Sequence, residues 1–242
     1  MNILQNYFMI DGVSSLTYGI WINGDGRWSG AEPDVEVVAV PGRSGELTLS
    51  NDRWHNRELY YRCFILNSFI NGFESFRAML LSKAGYRRIE DSYKPSEFVM
   101  GRVTGGLDIS SIDWVGDTGS FTVRFSCMPQ RFLTSGEVEQ NIMTYATVTN
   151  PTQFYSKPII RTKGYGTITI DSKSYTIAQN SLTYYLFVDS DTEDCRAAGG
   201  QNRNSYLTLN DGVFLTIPPG NSTVLYDNTF TEVKLTPRWW TL

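Results

Sequence analysis

Few residues in this chain have the types and spacing for chemistry. Among 242 residues there is one histidine, His55. It lies between Asn51-Asp52-Arg53-Trp54 and Asn56-Arg57, a charged stretch that reads as an exposed loop. A Ser-His-Asp or Cys-His mechanism would need it, yet no Gly-x-Ser-x-Gly elbow presents a nucleophile. The run Asp189, Asp191, Glu193 and Asp194 carries the hard oxygen donors that calcium prefers. An EF-hand loop, however, wants glycine sixth and glutamate twelfth, where this chain has Asp194 and Gly200. The run therefore reads as a solvated loop. Pro41-Gly42-Arg43-Ser44-Gly45-Glu46 has the glycines of a phosphate loop without its Gly-Lys-Ser/Thr ending or its helix. Pro41, Gly42, Arg43 and Gly45 read instead as a shaped turn, since proline presets one dihedral and glycine accepts positive φ. Asn221-Ser222-Thr223 fits a glycosylation acceptor, which matters only in a secretory pathway. The three cysteines, Cys63, Cys127 and Cys195, are odd in number and far apart, against both a disulfide framework and a zinc site. They read as reduced, buried side chains. No acid–base pair, metal set or cofactor motif emerges, so neither enzyme activity nor a cofactor is expected.

The elements that would position these residues are mostly strands. Aromatics make up 14% of the chain, charged residues 19%, and there are 21 glycines. That mix suits an all-β protein with many turns, and the length suits two domains. Strands are expected at Tyr18–Ile22, running into the tight turn Asn23-Gly24-Asp25-Gly26, then at Val35–Val40 and Leu59–Leu66. Further strands are expected at Phe98–Val103 and Ser120–Cys127, where Phe121, Val123 and Phe125 alternate with Thr122 and Arg124. One helix is expected, capped by Asn71 with Glu74 three residues on, presenting Phe73, Phe76, Leu80 and Ala84 on one face and stopped by Gly85. Met128-Pro129-Gln130 ends the strand before it, and residues 129–137 read as a linker. Beyond it, turn-punctuated strands follow at Ile168–Ile170, Tyr184–Val188, and a hairpin of Tyr206–Leu209 with Val213–Ile217 around Asn210-Asp211-Gly212. Strands at this density read as a β-sandwich.

The charge is −4, from 25 acidic and 21 basic residues. A chain that grips phosphates needs a positive surface, so specific nucleic-acid binding is not expected. No run of about 18 apolar residues marks a membrane span. The first residues lack the basic start and apolar stretch of a secretion signal, so folding is expected where the chain is made. The closing residues, Pro237-Arg238-Trp239-Trp240-Thr241-Leu242, carry two adjacent tryptophans, each able to bury roughly 150–250 Å². They read as a docked element, with Arg238, Trp239, Trp240 and Leu242 its contact residues.

Taken in order, several segments resemble the distal tail (Dit) proteins of long-tailed, non-contractile phages. Phe8, Gly12, Ser15 and Gly19 are similar to that family's opening pattern, and Pro41-Gly42-Arg43-Ser44-Gly45 to its turn signature. The helix, Tyr86–Tyr93, Phe121–Pro129, Asn150-Pro151, Pro158-Ile159-Ile160, Gly164-Tyr165-Gly166, Val188-Asp189-Ser190, Pro219-Gly220-Asn221 and Pro237-Arg238-Trp239-Trp240 continue the series. The resemblance implies a mainly β chain. Residues 1–132 would form an N-terminal β-sandwich belt domain with one α-helix, to which 236–242 return. Residues 137–235 would form a galectin-like β-sandwich. It further implies a homo-hexameric ring at the virion's tail tip, made in the host cytoplasm. The ring would join the major tail (tube) protein to the tail-tip hub protein, alongside receptor-binding proteins, and DNA would pass through its pore. A second reading is a carbohydrate-binding module in which Tyr184, Tyr185 and Tyr206 of the C-terminal sandwich stack on cell-wall sugars.

Overall fold

The computed structural model describes residues 6–23, 27–179 and 184–242, without the side chains of Arg27 and Trp28. The expected turn at Asn23–Gly26 falls largely outside these. The chain divides into two compact units, Met1–Arg131 with Leu242, and Phe132–Thr241. It is mainly β, with one α-helix among the described residues.

The first unit is built on a sheet ordered Val13–Ser14, Phe8–Ile10, Arg87–Asp91, Glu97–Val103, Thr118–Leu133, Arg57–Ile65 and Ile20–Ile22. Alternation explains its inner face. Arg57, Leu59, Tyr61, Cys63 and Ile65 point inward on one strand, and Phe121, Val123, Phe125 and Cys127 on its neighbour. The helix, Phe69–Leu81, lays Phe69, Phe73, Phe76 and Leu80 on this face. Its rings meet sheet aromatics at edge-on angles, Phe73 with Phe121 at 5.0 Å and Phe76 with Phe8 at 5.8 Å.

Several expectations need correction here. The helix begins two residues before Asn71, because Phe69 is anchored in the core and Asp117 supplies the cap: its carboxylate accepts the Phe69 N–H at 3.1 Å. Ala84 and Gly85 lie beyond the helix, which ends where the Arg87 guanidinium donates to the Met79 and Leu80 carbonyls. Pro129 does not stop its strand, which runs to Leu133. Pairing with Arg57–Ile65 finishes at Cys127, so the missing proline N–H costs nothing on that edge. Residues 129–137 are thus strand and a 3-10 turn, Thr134–Glu137, and the boundary between the two units, after Arg131, falls among them.

The second unit is two sheets enclosing one core. One is ordered Gln140–Asn141, Glu232–Thr236, Ile159–Lys163, Leu186–Asp189, Asp194–Ala197, and the other Ala146–Asn150, Gly220–Tyr226, Gly166–Ile170, Lys173–Ile177, Leu207–Leu209. Ile160, Leu186, Val188 and Leu235 from the first meet Ile168, Ile170, Tyr175 and Val224 from the second. The expected hairpin at Asn210-Asp211-Gly212 is absent. Leu207–Leu209 pairs with Lys173–Ile177, while residues 213–216 form no strand and Ile217 makes a single bridge to Ser156. Burial of Leu215 and Ile217 holds that segment in the core without a ladder.

Candidate assembly surface

A strand pair stands apart from both units' sheets. Pro33–Ala39 and Glu46–Trp54 form a two-stranded sheet that pairs with no other strand among the described residues. Asn51–Trp54 therefore belong to a strand, not to a loop. Val35 faces Ser50, Glu36 faces Leu49, Val37 faces Thr48 and Val38 faces Leu47. Opposed residues share a face, so Val35 and Val37 lie on one side while Val38, Leu47 and Leu49 lie on the other. All five are exposed, Val37 by 50% and Leu49 by 47%. A lone hairpin is marginal in water, and one that is apolar on both faces has a surface to cover on each.

The expected shaped turn, Pro41, Gly42, Arg43 and Gly45, is the tip of this hairpin. The Arg43 N–H donates to the Val40 carbonyl at 3.2 Å, and Gly42 and Gly45 take φ of 79° and 87°. Space around both is open, so their left-handed backbone is what requires glycine. At the other end, Asp34 fastens the base. It accepts from Asn51 Nδ2 at 3.1 Å and from Arg53 Nε, and His55 Nε2 stands 3.6 Å away. Those hydrogen bonds, from Asn51 first and Arg53 next, hold the Asp34 carboxyl below the usual carboxylate range. His55, the candidate catalytic base, is thus a neighbour of a structural carboxylate.

In the closing segment residues 237–241 group with the second unit and Leu242 with the first, and Trp240–Thr241 pairs with the long strand Thr118–Leu133. Trp239 is buried in its core, and the Leu133 N–H donates to the Trp239 carbonyl at 2.9 Å. Trp240 stacks on Phe154 at 4.4 Å and donates its indole N–H to the Tyr155 carbonyl at 3.0 Å. Arg238 takes a positive φ of 58° and forks onto Asp189, Nη1 to Oδ1 at 2.6 Å and Nη2 to Oδ2 at 2.8 Å. Leu242 groups with the first unit, its main-chain oxygen accepting from Arg131.

The Asp189–Arg238 fork explains the acidic run. Asp191 pairs with Lys157 and Asp194 with Arg196, and among the described residues no three carboxylate, histidine or cysteine groups converge on a metal position. Burial alone would raise the Asp189 carboxyl, but the Arg238 bonds and the Asp191 and Thr192 N–H groups outweigh it and hold it low. A folded-state pKa below the unfolded value gives stability that is complete above about pH 4 and is lost as pH falls through the folded value. Urea melts between pH 3 and 7 are expected to show that loss in the wild type. Asp189→Asn, costing about 1.5–3 kcal/mol at neutral pH, is expected to flatten the acid limb; parallel slopes in both proteins would show that the fork contributes nothing.

The remaining chemical candidates are the cysteines, an open cleft and the tyrosines of the second unit. Burial pushes the Cys127 and Cys195 thiols up to about 11 and raises that of Cys63 further, so all three stay protonated and unreactive at neutral pH. An open cleft of about 590 Å³ on the first unit's outer sheet face is lined by Tyr60, Arg62, Phe64, Ser120, Thr122 and Arg124, with no carboxylate or histidine among the described residues of its wall. Arginines lie near the three tyrosines of the carbohydrate reading: Arg161 is 4.8 Å over the Tyr185 ring, and Arg203 5.8 and 5.6 Å over those of Tyr184 and Tyr206.

Among the described residues the fold is two β units, one helix and an apolar hairpin outside their sheets, and solved structures that match it come from phages. SPP1 Dit, described as a paradigm of the hub adsorption apparatus in phages infecting Gram-positive bacteria, matches over 98% of this chain and 99% of its own, with a TM-score of 0.77 at 17% identity. A chain of the phage P2 baseplate in its activated conformation with calcium matches over 96% of this chain and 97% of its own, with a TM-score of 0.55 at 7% identity. The strontium form gives 0.54 at 8% identity, over 96% of each chain. No family model and no curated protein matches. At these identities the likeness is one of fold, and in fold the chain agrees with the Dit resemblance read from its sequence.

Proposed function

We propose that this protein is a structural component of a phage tail hub. Six copies would close into a ring that joins the tail tube protein to the tail-tip hub protein, with receptor-binding proteins nearby. The observation that carries this reading is the hairpin Pro33–Trp54, a strand pair apolar on both faces within a chain that matches SPP1 Dit end to end. Closure of a ring needs a heterologous contact, in which one face of a subunit meets a different face of the next. A projecting hairpin supplies one half of such a contact. Residues 1–132 would then be the belt, and the second unit a sandwich of galectin-like type facing outward. The net charge of −4 suits a channel through which DNA passes without being held.

Native mass spectrometry with negative-stain images of the purified chain tests the proposal. A closed six-membered ring is expected. A chain that stays monomeric at high concentration, alone and mixed with its tail-tube and tail-tip neighbours, would end it.

A further inference from the structure

Each of the two sheets in the second unit ends in two outer strands among the described residues. An outer strand offers unpaired N–H and C=O groups to any other chain, and proteins blunt it by shortness, charge or cover. Three of these four edges are blunted. Gln140–Asn141 is two residues long and Leu207–Leu209 three. Asp194–Ala197 carries Asp194 and Arg196 and is closed by the returning chain: the Ala197 N–H donates to the Gln201 carbonyl at 2.9 Å, and the Arg203 N–H to that of Cys195 at 2.7 Å. The fourth edge, Ala146–Asn150, has five residues, no charge and no proline, and among the described residues it pairs with one strand only, Gly220–Tyr226.

That neighbour fixes the direction of its unused bonds. Thr223 turns away from the edge: its N–H donates to Asp171 Oδ1 at 2.8 Å, and its carbonyl accepts from the Asp171 N–H at 3.0 Å. Main-chain groups alternate in direction along an antiparallel strand. Those of Ser222 and Val224 therefore face Val148 and Ala146, their ladder partners, while Thr147 and Thr149 point their N–H and C=O groups outward. The edge is also nearly symmetric in sequence, because Thr147 and Thr149 flank Val148. An antiparallel copy centred on Val148 sets Thr147 opposite Thr149 twice, with both residues of each pair presenting free main-chain groups. Four hydrogen bonds result, with the two valines facing each other between them. Opposed threonines are a favourable cross-strand pair, and both side chains here are exposed. At the start of the strand Met143 and Tyr145 are 77% and 78% exposed, and Tyr145 takes a positive φ of 64°, uncommon for a bulky residue. That backbone ends the ladder and leaves both side chains uncovered beside the open edge.

We propose that Ala146–Asn150 pairs with the same strand of a second copy of this chain, antiparallel about Val148, merging two five-stranded sheets into one. The contact is two-fold, so it differs from the head-to-tail contact of a ring. It doubles a single chain or a ring alike, and it stands or falls separately from the ring reading.

Mass photometry and sedimentation of the full chain over a concentration series test it. Wild type is expected to double in mass, from one chain to two or from one ring to two. Thr147→Lys with Thr149→Lys opposes like charges and is expected to weaken the doubling roughly tenfold. Thr147→Lys with Thr149→Glu changes the same positions but opposes unlike charges, and is expected to restore at least the wild-type strength. Both positions are exposed, so melts of the two variants are expected to stay close to that of wild type. Should loss of the Thr149 hydroxyl bond to Asn221 prevent folding, Thr147→Lys alone keeps that bond and is expected to weaken the doubling about threefold. No doubling up to about 1 mM, or equal doubling in both charge variants, would overturn the proposal. So would an edge that pairs only when tail-tip neighbours are added, since it would then belong to another protein's strand.

Discussion

Val37→Asp combined with Leu49→Asp is expected to leave a folded protein that no longer forms rings. The two positions lie on opposite faces of the hairpin, Val37 beside Thr48 and Leu49 beside Glu36. Both are half exposed in the single chain, so their replacement should change its own stability by no more than about 0.5 kcal/mol. In a ring each would be covered. Losing one buried valine or leucine contact costs about 1.5–3 kcal/mol, roughly a ten- to hundredfold weakening per interface, and an unpaired carboxylate beneath a neighbour adds to it. A closed ring repeats that loss at every contact. Mass photometry across a concentration series, with a melt as control, reads both quantities. The single variants assign the faces: Val37→Asp reports one and Leu49→Asp the other. Rings of unchanged size and midpoint in the double variant would remove the hairpin from the assembly.

Trp239→Ala is expected to be the most damaging single change to the second unit. The indole is 4% exposed and packs in the core formed by both sheets. Truncating a buried tryptophan costs about 3–5 kcal/mol, which for a chain of this size lowers Tm by about 10 °C. The neighbouring Trp240 is half-buried and contributes a stack on Phe154 and one hydrogen bond, so Trp240→Ala should cost about 1–2 kcal/mol. Gly136→Ala probes the same seat from the opposite side. A Cβ there would stand 2.3 Å from the Trp239 nitrogen and 3.1 Å from the Arg238 carbonyl carbon. Both are backbone atoms, so the strain is relieved only by displacing the closing segment, at about 1–3 kcal/mol. Calorimetry of the three variants should rank them Trp239→Ala, Gly136→Ala, Trp240→Ala. A Trp239→Ala melt within a degree of wild type would show that the segment is not part of the core.

The legible parts of this fold are those in which a side chain's position follows from its near neighbours. Phe121, Val123 and Phe125 alternate, and they face the core. Phe73, Phe76 and Leu80 recur at helical spacing, and they cover it. The glycines of Pro41–Gly45 announce a turn, and a turn is there. The misread parts depend on distant partners. The helix cap comes from Asp117, 48 residues from Phe69. Asn51–Trp54 are too polar to read as strand, yet their ladder partners across the hairpin hold them extended where no core demands alternation. Val213–Ile217 have the composition of a strand, but burial of Leu215 and Ile217 and a single bridge to the distant Ser156 hold them without a ladder.

The sequence by itself determined a mainly β chain with one helix, a closing segment built around two tryptophans, and a lack of catalytic motifs, because periodicity, turn chemistry and residue type are local properties. Tertiary structure alone decided which apolar residues were left uncovered and which buried polar atoms found hydrogen-bond partners. Val37 and Leu49 are as apolar as any core residue, and their exposure reflects only the lack of a third strand or a second layer. Arg87 and Arg57 are the same side chain at the same depth; the first meets Asp11 and a helix end, while the second keeps Nε and Nη2 without a hydrogen-bond partner. Burial and pairing are properties of what the rest of the chain brings alongside, and no stretch of neighbouring residues encodes them.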